Sequence, residues 1–424
     1  MRPSLLLLLL ASVATAFADE PTTRWWKGNL HTHSLWSDGD QYPEMIAAWY
    51  KEQGYHFLAL SDHNILSDHE RWIPVTKNKA GEAALAKYVA RFGEDWVERR
   101  EMEGARQVRL KMLSEFRPLV EEPGRFLMIQ SEELTAKFRS APIHLNATNV
   151  REFIAPRGGN SMVEVMQNNV NAVLEQRQRT GVPMFPHINH PNFGWAITAE
   201  ELMQLENDRF FEVYNGHPQV HNAGDELHAG TDRIWDIILS ERLAELGKPL
   251  LFGLAVDDSH HYHGEPKNDS RPGRGWVMVR AAKLSAEDLI ASLEAGDFYA
   301  SSGVVLKEVR RKNEEIAIEI EAEPGVSYRT EFIGTRRGYD RTRVPILAES
   351  GSPLRITNTY SQEIGAVLDT VEGNSARYVF KGDEIYVRAR VTSTKLKANP
   401  SSPGEFERAW IQPVAGKPTE QQGR

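Results

Sequence analysis

Seven short apolar runs set the terms on which this chain can fold, because each ends on histidines, acids or amides: NLHTH (29–33), FLALSDHN (57–64), FLMIQSEEL (126–134), IHLNATN (143–149), VPMFPHINHPN (182–192), FFEVYNG (210–216) and LLFGLAVDDSH (250–260). Runs of this length that are apolar throughout suit strands buried on both faces, as in a parallel sheet. Helical patterns separate them: PEMIAAWYKEQG with Pro43 in its first turn, SMVEVMQNNVNAVLEQRQRTG, TAEELMQL and TDRIWDIILSERLAELG. This alternation predicts parallel βα units, and functional groups at the carboxyl ends of many strands predict a closed barrel with its site at that rim. Seven runs favour a seven-stranded or distorted barrel, and no G-x-G-x-x-G loop supports an open dinucleotide-binding sheet. A charged stretch from about Gly81 to Leu119, with Ala83, Leu85, Tyr88, Val89 and Phe92 at helical spacing, predicts a helical insertion over about 67–124. Such an insertion either covers the rim or forms a solvated helical pair.

The chemistry lies at the run ends. His31 and His33 are two apart, so on an extended chain both rings point to one side and can reach one ion. His63 in SDHN, Glu133 in SEELT, His144 in PIHLN, His190 in NHPN and Asp258 with His260 in DDSH complete the set. Imidazoles with carboxylates suit Zn, Mn or Fe, and one carboxylate among imidazoles can bridge two ions. Any one of these residues is equally well a satisfied polar group. Together they would require seven coincidences.

The ordered set H-T-H (31–33) with S-D-G (37–39), S-D-H-N (61–64), E-E-L-T (132–135), I-H-L (143–145), N-H-P (189–191) and D-D-S-H (257–260) resembles the PHP domain, named for polymerases and histidinol phosphatases. The resemblance spans about residues 28–303 and implies a distorted (β/α)₇ barrel holding two or three divalent ions. It further implies that His31, His33, Glu133 and Asp258 bind one ion, and that Glu133, His144 and His190 bind a second. His63 and His260 would bind a third together with Asp38, which stands where many relatives have histidine. Asp38 equally suits stabilising the SDGD turn. Glu132 competes with Glu133 as the bridge, and Glu133 is preferred because the family's acid directly precedes an apolar residue and then Ser or Thr. His187 and Asp62 are candidates for holding ligand imidazoles from behind, and His261 and His263 for the mouth. His56, His69, His217, His221 and His228 fit no ligand position.

The expected chemistry is hydrolysis of a small-molecule substrate, with a hydroxide held between the ions as nucleophile. A phosphoester is favoured, for which Arg139 and Arg274, with Lys137 and Arg271, are weak candidate contacts. RGWVMVRAAKLSAEDLIASLEAGDFYASSG (274–303) resembles an exported PHP branch with carbamate-hydrolysing members, which makes ester, amide or carbamate hydrolysis the alternative. A non-catalytic metal-binding scaffold is a third reading.

The opening MRPSLLLLLLASVATAFA reads as a signal peptide over 1–18, which predicts a periplasmic or secreted protein with no membrane anchor after cleavage. A net charge of −9 without a basic run argues against nucleic acid as a partner. With no cysteine, any metal site uses nitrogen and oxygen ligands. The barrel domain is expected over 25–303. After it, alternating strands such as EIAIEIEAE (315–323) and SARYVFKGDEIYVRARVTS (375–393) predict an antiparallel β-sandwich over 304–415, followed by a polar tail, 416–424.

Overall fold

The computed structural model describes residues 23–264, 269–312 and 314–417. The expected signal peptide and all but the start of the polar tail lie outside the described residues. The main sheet has thirteen strands, numbered in chain order: β1 (Arg24–Asn29), β2 (Phe57–Leu60), β3 (Leu127–Phe138), β4 (Ala141–Thr148), β5 (Phe185–Ile188), β6 (Phe210–Asn215), β7 (Phe252–Val256), β8 (Trp276–Ala281), β9 (Phe298–Ser301), β10 (Tyr328–Arg336), β11 (Ala366–Glu372), β12 (Glu384–Leu396) and β13 (Phe406–Ala415). Their order is β7-β6-β5-β4-β3-β2-β1-β8-β9-β13-β12-β10-β11.

Each of the seven apolar runs forms or feeds a strand of the row β1 to β7. Six of these strands form two parallel triplets, β1-β2-β3 and β5-β6-β7. The expectation of uniformly parallel strands fails at β4, which is antiparallel to both neighbours. The cause is the length of the link. Only Arg139 and Ser140 separate β3 from β4, enough for a hairpin, whereas a parallel return needs a crossover of about a dozen residues or more.

The row curls. Phe57, Ile129, Phe185, Phe210, Phe252, Leu254 and Val277 share one buried cluster, and beyond the strand ends Thr32 bridges to Ser259. The Asp258 amide donates to the His31 carbonyl and the His33 amide to the Ser259 carbonyl, both at 3.0 Å. The two edges therefore meet at the rim, although no continuous ladder joins β1 to β7.

The helices are α1 (Pro43–Glu52), α2 (Gly81–Phe92), α3 (Leu113–Val120), α4 (Met162–Thr180), α5 (Ala199–Leu202), α6 (Thr231–Ala244) and α7 (Ala286–Glu294). Pro43 opens α1. Ser161 caps α4 through the Glu164 amide, and Gly181 ends it in the left-handed region at φ 70°.

The insertion departs from the helical one expected over about 67–124. Helix occupies 81–92 and 113–120, while Arg71–Pro74, Arg99–Met102 and Ala105–Leu110 form a three-stranded antiparallel sheet. Gly104, at φ 75°, makes the turn between the last two strands. Glu44 of α1 ties this insertion to the row, accepting from the Tyr88 hydroxyl at 2.6 Å and the Trp96 indole at 3.2 Å. Burial pushes its carboxyl up to about 7, against the lowering effect of those two donors. A raised carboxyl favours its neutral form in the folded state, so this contribution is complete below the unfolded pKa near 4.5 and is lost as pH rises through about 7. The Glu44→Gln protein is expected to lose that component of the pH dependence between 5 and 8 in thermal melts; an unchanged slope would refute the assignment.

The carboxyl-terminal strands pack in two layers, but the first layer is not separate. β13 pairs with β9 and carries β12, β10 and β11 into the main sheet. The second layer is the antiparallel sheet of Leu306–Lys312, Glu315–Ile320 and Ser375–Val379. Ile316, Ile318 and Tyr378 from this layer share a core with Phe332, Val387, Ala389 and Ile411 from the first.

Candidate metal centre

The segments just past the strand ends place the candidate ligands on one rim. Thr32 points away, with its carbonyl accepting from the Ser61 amide at 2.9 Å, so His31 and His33 both face inward, as alternation requires. Their Nε2 atoms are 3.0 Å apart, and each is 3.2 Å from Asp258 Oδ1. Glu133 adds Oε1 at 3.6 Å from His31 and Oε2 at 3.4 Å from His33. Ligands arranged tetrahedrally about 2.1 Å from an ion are about 3.4 Å from one another. The two imidazoles have about this spacing to each other and to each carboxylate, so His31 and His33 are the shared pair, with Glu133 on one side and Asp258 on the other.

Glu133 is also the meeting point for the second group. His144 Nδ1 is 3.0 Å and His190 Nε2 3.7 Å from its Oε1, and His63 Nδ1 is 2.7 Å from its Oε2. His144 reaches the rim although it lies near the start of β4, because that strand runs the opposite way. Glu132 points to the other face of β3 and accepts from the Ile154 amide at 2.7 Å.

The third group is His33, Asp38, His63 and His260. Asp38 lies 3.4 Å from His260, 3.6 Å from His63 and 3.8 Å from His33, and is the most open of them, with 59% of its side chain exposed. The turn that carries it is held by a different acid. Asp62 accepts from the amides and hydroxyls of Ser34 and Ser37 at 2.6–3.0 Å, so it clamps the SLWS turn rather than a ligand imidazole. Gly39 completes the turn, since a Cβ there would lie 2.6 Å from the His33 carbonyl oxygen.

The electrostatics are those of a site built for cations. Burial alone would raise Glu133, yet the imidazoles of His63, His144 and His31 hold it well below the usual carboxylate range. His33 is held down to about 3 by burial and by the neighbouring His260 and His63. Glu133 Oε2 and His144 Nδ1 are buried without an aligned hydrogen bond, a costly state unless a cation satisfies both. The donor set therefore fits divalent ions. His190 and Asp258 also have positive φ, 21° and 49°, backbone strain of the kind that collects at functional sites.

Sequence reading missed the group that orients these ligands. Glu212, fully buried on β6, is 2.6 Å from His31 Nδ1 and 3.3 Å from His187 Nε2. It also accepts from the His190 amide and the Asn215 side chain, both at 2.8 Å. His187 thus shares a carboxylate with His31. The available signal was a lone acid inside FFEVYN, because a buried charge must be partnered. Asn189, also missed, donates to Glu133 Oε1 at 2.7 Å. Asp257, next to Asp258, faces the other way and anchors the amides of Gly273, Arg274 and Gly275 at 2.6–2.8 Å. Losing an outer carboxylate typically costs about 10–100-fold in metal affinity or activity, and that is the loss expected for Glu212→Gln by metal titration. An unchanged affinity would refute the orienting role.

The basic candidates do not join the cluster. Arg274 is buried and donates to the Gly216 carbonyl and Asn399. Arg139 is exposed at the β3–β4 turn, beside the Phe138 ring. His56 accepts from the Lys27 amide, while His221 and His228 stack on the two sides of Trp195 at 4.4 and 3.9 Å. His217 lies nearer than expected, 5.6 Å ring to ring from His260. His261 meets Lys79 and His263 meets Asn78.

No family model and no curated protein matches the chain. Among solved structures it is similar to a two-domain protein from Bacteroides vulgatus containing a predicted PHP-like metal-dependent phosphoesterase, at 14% identity over 92% of this chain and 95% of that one, with a TM-score of 0.38. It is also similar to an amidohydrolase from Chromobacterium violaceum (11%, 57% and 93%, TM-score 0.29) and to a putative metal-dependent phosphoesterase from Bifidobacterium adolescentis (11%, 62% and 91%, TM-score 0.27). With TM-scores this low, the functional reading rests on the chain's own residues.

Proposed function

We propose that the chain is an exported metal-dependent hydrolase of the PHP type, acting on a small molecule, with its curled row of seven strands classed as a distorted (β/α)₇ barrel. The observation that carries the reading is the convergence of His31, His33, His63, His144 and His190 on one buried carboxylate, Glu133, at 2.7–3.7 Å. His31, His33, Glu133 and Asp258 would hold one divalent ion, Glu133, His144 and His190 a second, and Asp38, His63 and His260 a third, as Zn, Mn or Fe. Bound there, such ions supply Lewis acidity towards a substrate oxygen and bring the pKa of water towards neutrality. The chain's own contribution is orientation. Glu212 fixes the His31 ring through Nδ1, Thr135 meets His63 Nδ1 at 2.5 Å, and the Asp258 carbonyl accepts from His260 Nδ1 at 2.9 Å. The leader-like opening supports export.

A phosphoester is the favoured substrate class. One observation favours the acyl alternative of ester, amide or carbamate: Phe193 walls the site, its ring centre 5.2 Å from His190 and 6.2 Å from His144, while Arg274 is engaged elsewhere. A panel of p-nitrophenyl phosphate, bis-p-nitrophenyl phosphate and p-nitrophenyl acetate on Mn- or Zn-loaded protein separates the two. The phosphoesters are expected to turn over faster. Turnover of the acetate alone would transfer the reading to acyl chemistry, and no turnover of any would favour a metal-binding scaffold.

A further inference from the structure

Between the loop that follows β6 and the carboxyl-terminal strands lies a cavity of about 520 Å³, lined by none of the candidate metal ligands. This volume is within the about 300–1,000 Å³ usual for small-molecule sites. Its walls carry Arg233, Arg390 and Arg408 against Asp232 and Glu405, so cations exceed acids by one.

The surplus has a clear location. Arg390 is 3.2 Å from Asp232 and 2.8 Å from Glu331, and Arg233 donates to the carbonyls of Tyr360, Ser361 and Ile364. The guanidinium of Arg408 has no hydrogen bond or ion pair among the described residues, and its Nε is buried without a partner. Its other donors open on the cavity, where solvent or a ligand must meet them. Trp410, two residues along β13 and so on the same face, is only 2% exposed, stacked on Tyr214 with ring centres 5.5 Å apart and donating its indole N–H to Asp232 at 3.1 Å, so the accessible apolar lining is Pro218, Ala223 and Pro403. Gly230 begins α6 at the cavity without a side-chain cap, adding the positive end of a helix.

We propose that this cavity binds a small monocarboxylate with an apolar body, its carboxylate forked by Arg408 and its body against the apolar lining of Pro218, Ala223 and Pro403. The planar guanidinium matches a carboxylate in two-point geometry. The charge also matches, since one negative charge neutralises the surplus, whereas a phosphate dianion would leave excess negative charge beside Asp232 and Glu405.

The test is calorimetric titration of full-length protein with benzoate, with inorganic phosphate as the second probe. Saturable one-to-one binding of benzoate near or below about 1 mM is expected in the wild type and equally in Glu133→Gln, with at least about tenfold weakening in Arg408→Gln. Ser402→Phe, a change at the exposed rim, is expected to block binding as well and serves if Arg408→Gln does not fold. Absence of saturable benzoate binding, equal binding in both cavity variants, or tighter binding of phosphate would each overturn the proposal. Benzoate binding lost in Glu133→Gln but kept in Arg408→Gln would place the ligand at the metal centre and overturn it too.

Discussion

Replacing Glu133 by Gln is expected to reduce hydrolysis by more than the about 10–100-fold that follows loss of an outer partner, with the fold intact. The carboxylate is fully buried and within 3.7 Å of five imidazoles, so on the proposed reading its charge would serve two ion positions together. Gln keeps the shape and one acceptor oxygen but offers neither charge nor a second oxygen lone-pair set. With its oxygen kept on the Asn189 donor, its amide nitrogen takes the Oε2 position and turns a donor towards His63 and His33. Steady-state kinetics on the most reactive of the panel substrates checks this, with circular dichroism confirming the fold. Turnover within about tenfold of wild type would remove Glu133 from the centre of the account.

The second large effect concerns stability. Arg388 on β12 is 1% exposed and donates through Nε and a terminal nitrogen to Asp236 of α6, both at 2.7 Å, while its other terminal nitrogen lies 2.9 Å from Asp232. The Tyr386 hydroxyl adds a 2.8 Å donor to Asp236. Arg388→Met removes the cation and leaves buried acids behind, which costs about 3–5 kcal/mol in comparable cases. Denaturant unfolding is expected to show this loss, and Arg388→Met with Asp236→Leu to show a smaller one, because the stranded charge is gone. A loss below about 1 kcal/mol for the single change, as for a surface pair, would contradict this assignment.

What the sequence revealed depended on how local the cause was. His31 and His33 were legible because period-two alternation places both on one face. The preference for Glu133 over Glu132 agrees with the geometry, since neighbours on a strand face opposite ways and Glu132 meets the Ile154 amide instead. Asp38 was open between ligand and turn residue, and only the fold shows that Asp62, 24 residues on, holds the turn's amides and hydroxyls, while Asp38 faces His260, His63 and His33. The reversed β4 was readable in principle from a link too short for a crossover. The insertion was overread as helix because the helical spacing of Ala83 to Phe92, which does form α2, was extended to residues 93–112, where Arg99–Met102 and Ala105–Leu110 pair as strands instead. The arginines lie apart from the ligand cluster because chain proximity says nothing about where a long side chain finds its acceptor, and Arg274 finds Gly216 and Asn399. Glu212 escaped because its partners, His31, His187 and His190, come from three separate segments.

The central claim is that one buried carboxylate organises a multinuclear site, and elemental analysis tests it most directly. Purified protein exposed to Zn or Mn and then freed of loose ions is expected to retain two or three equivalents per chain, and the Glu133→Gln protein at least one fewer. Wild-type protein that retains none, or a Glu133→Gln protein that retains as much as wild type, would contradict the account.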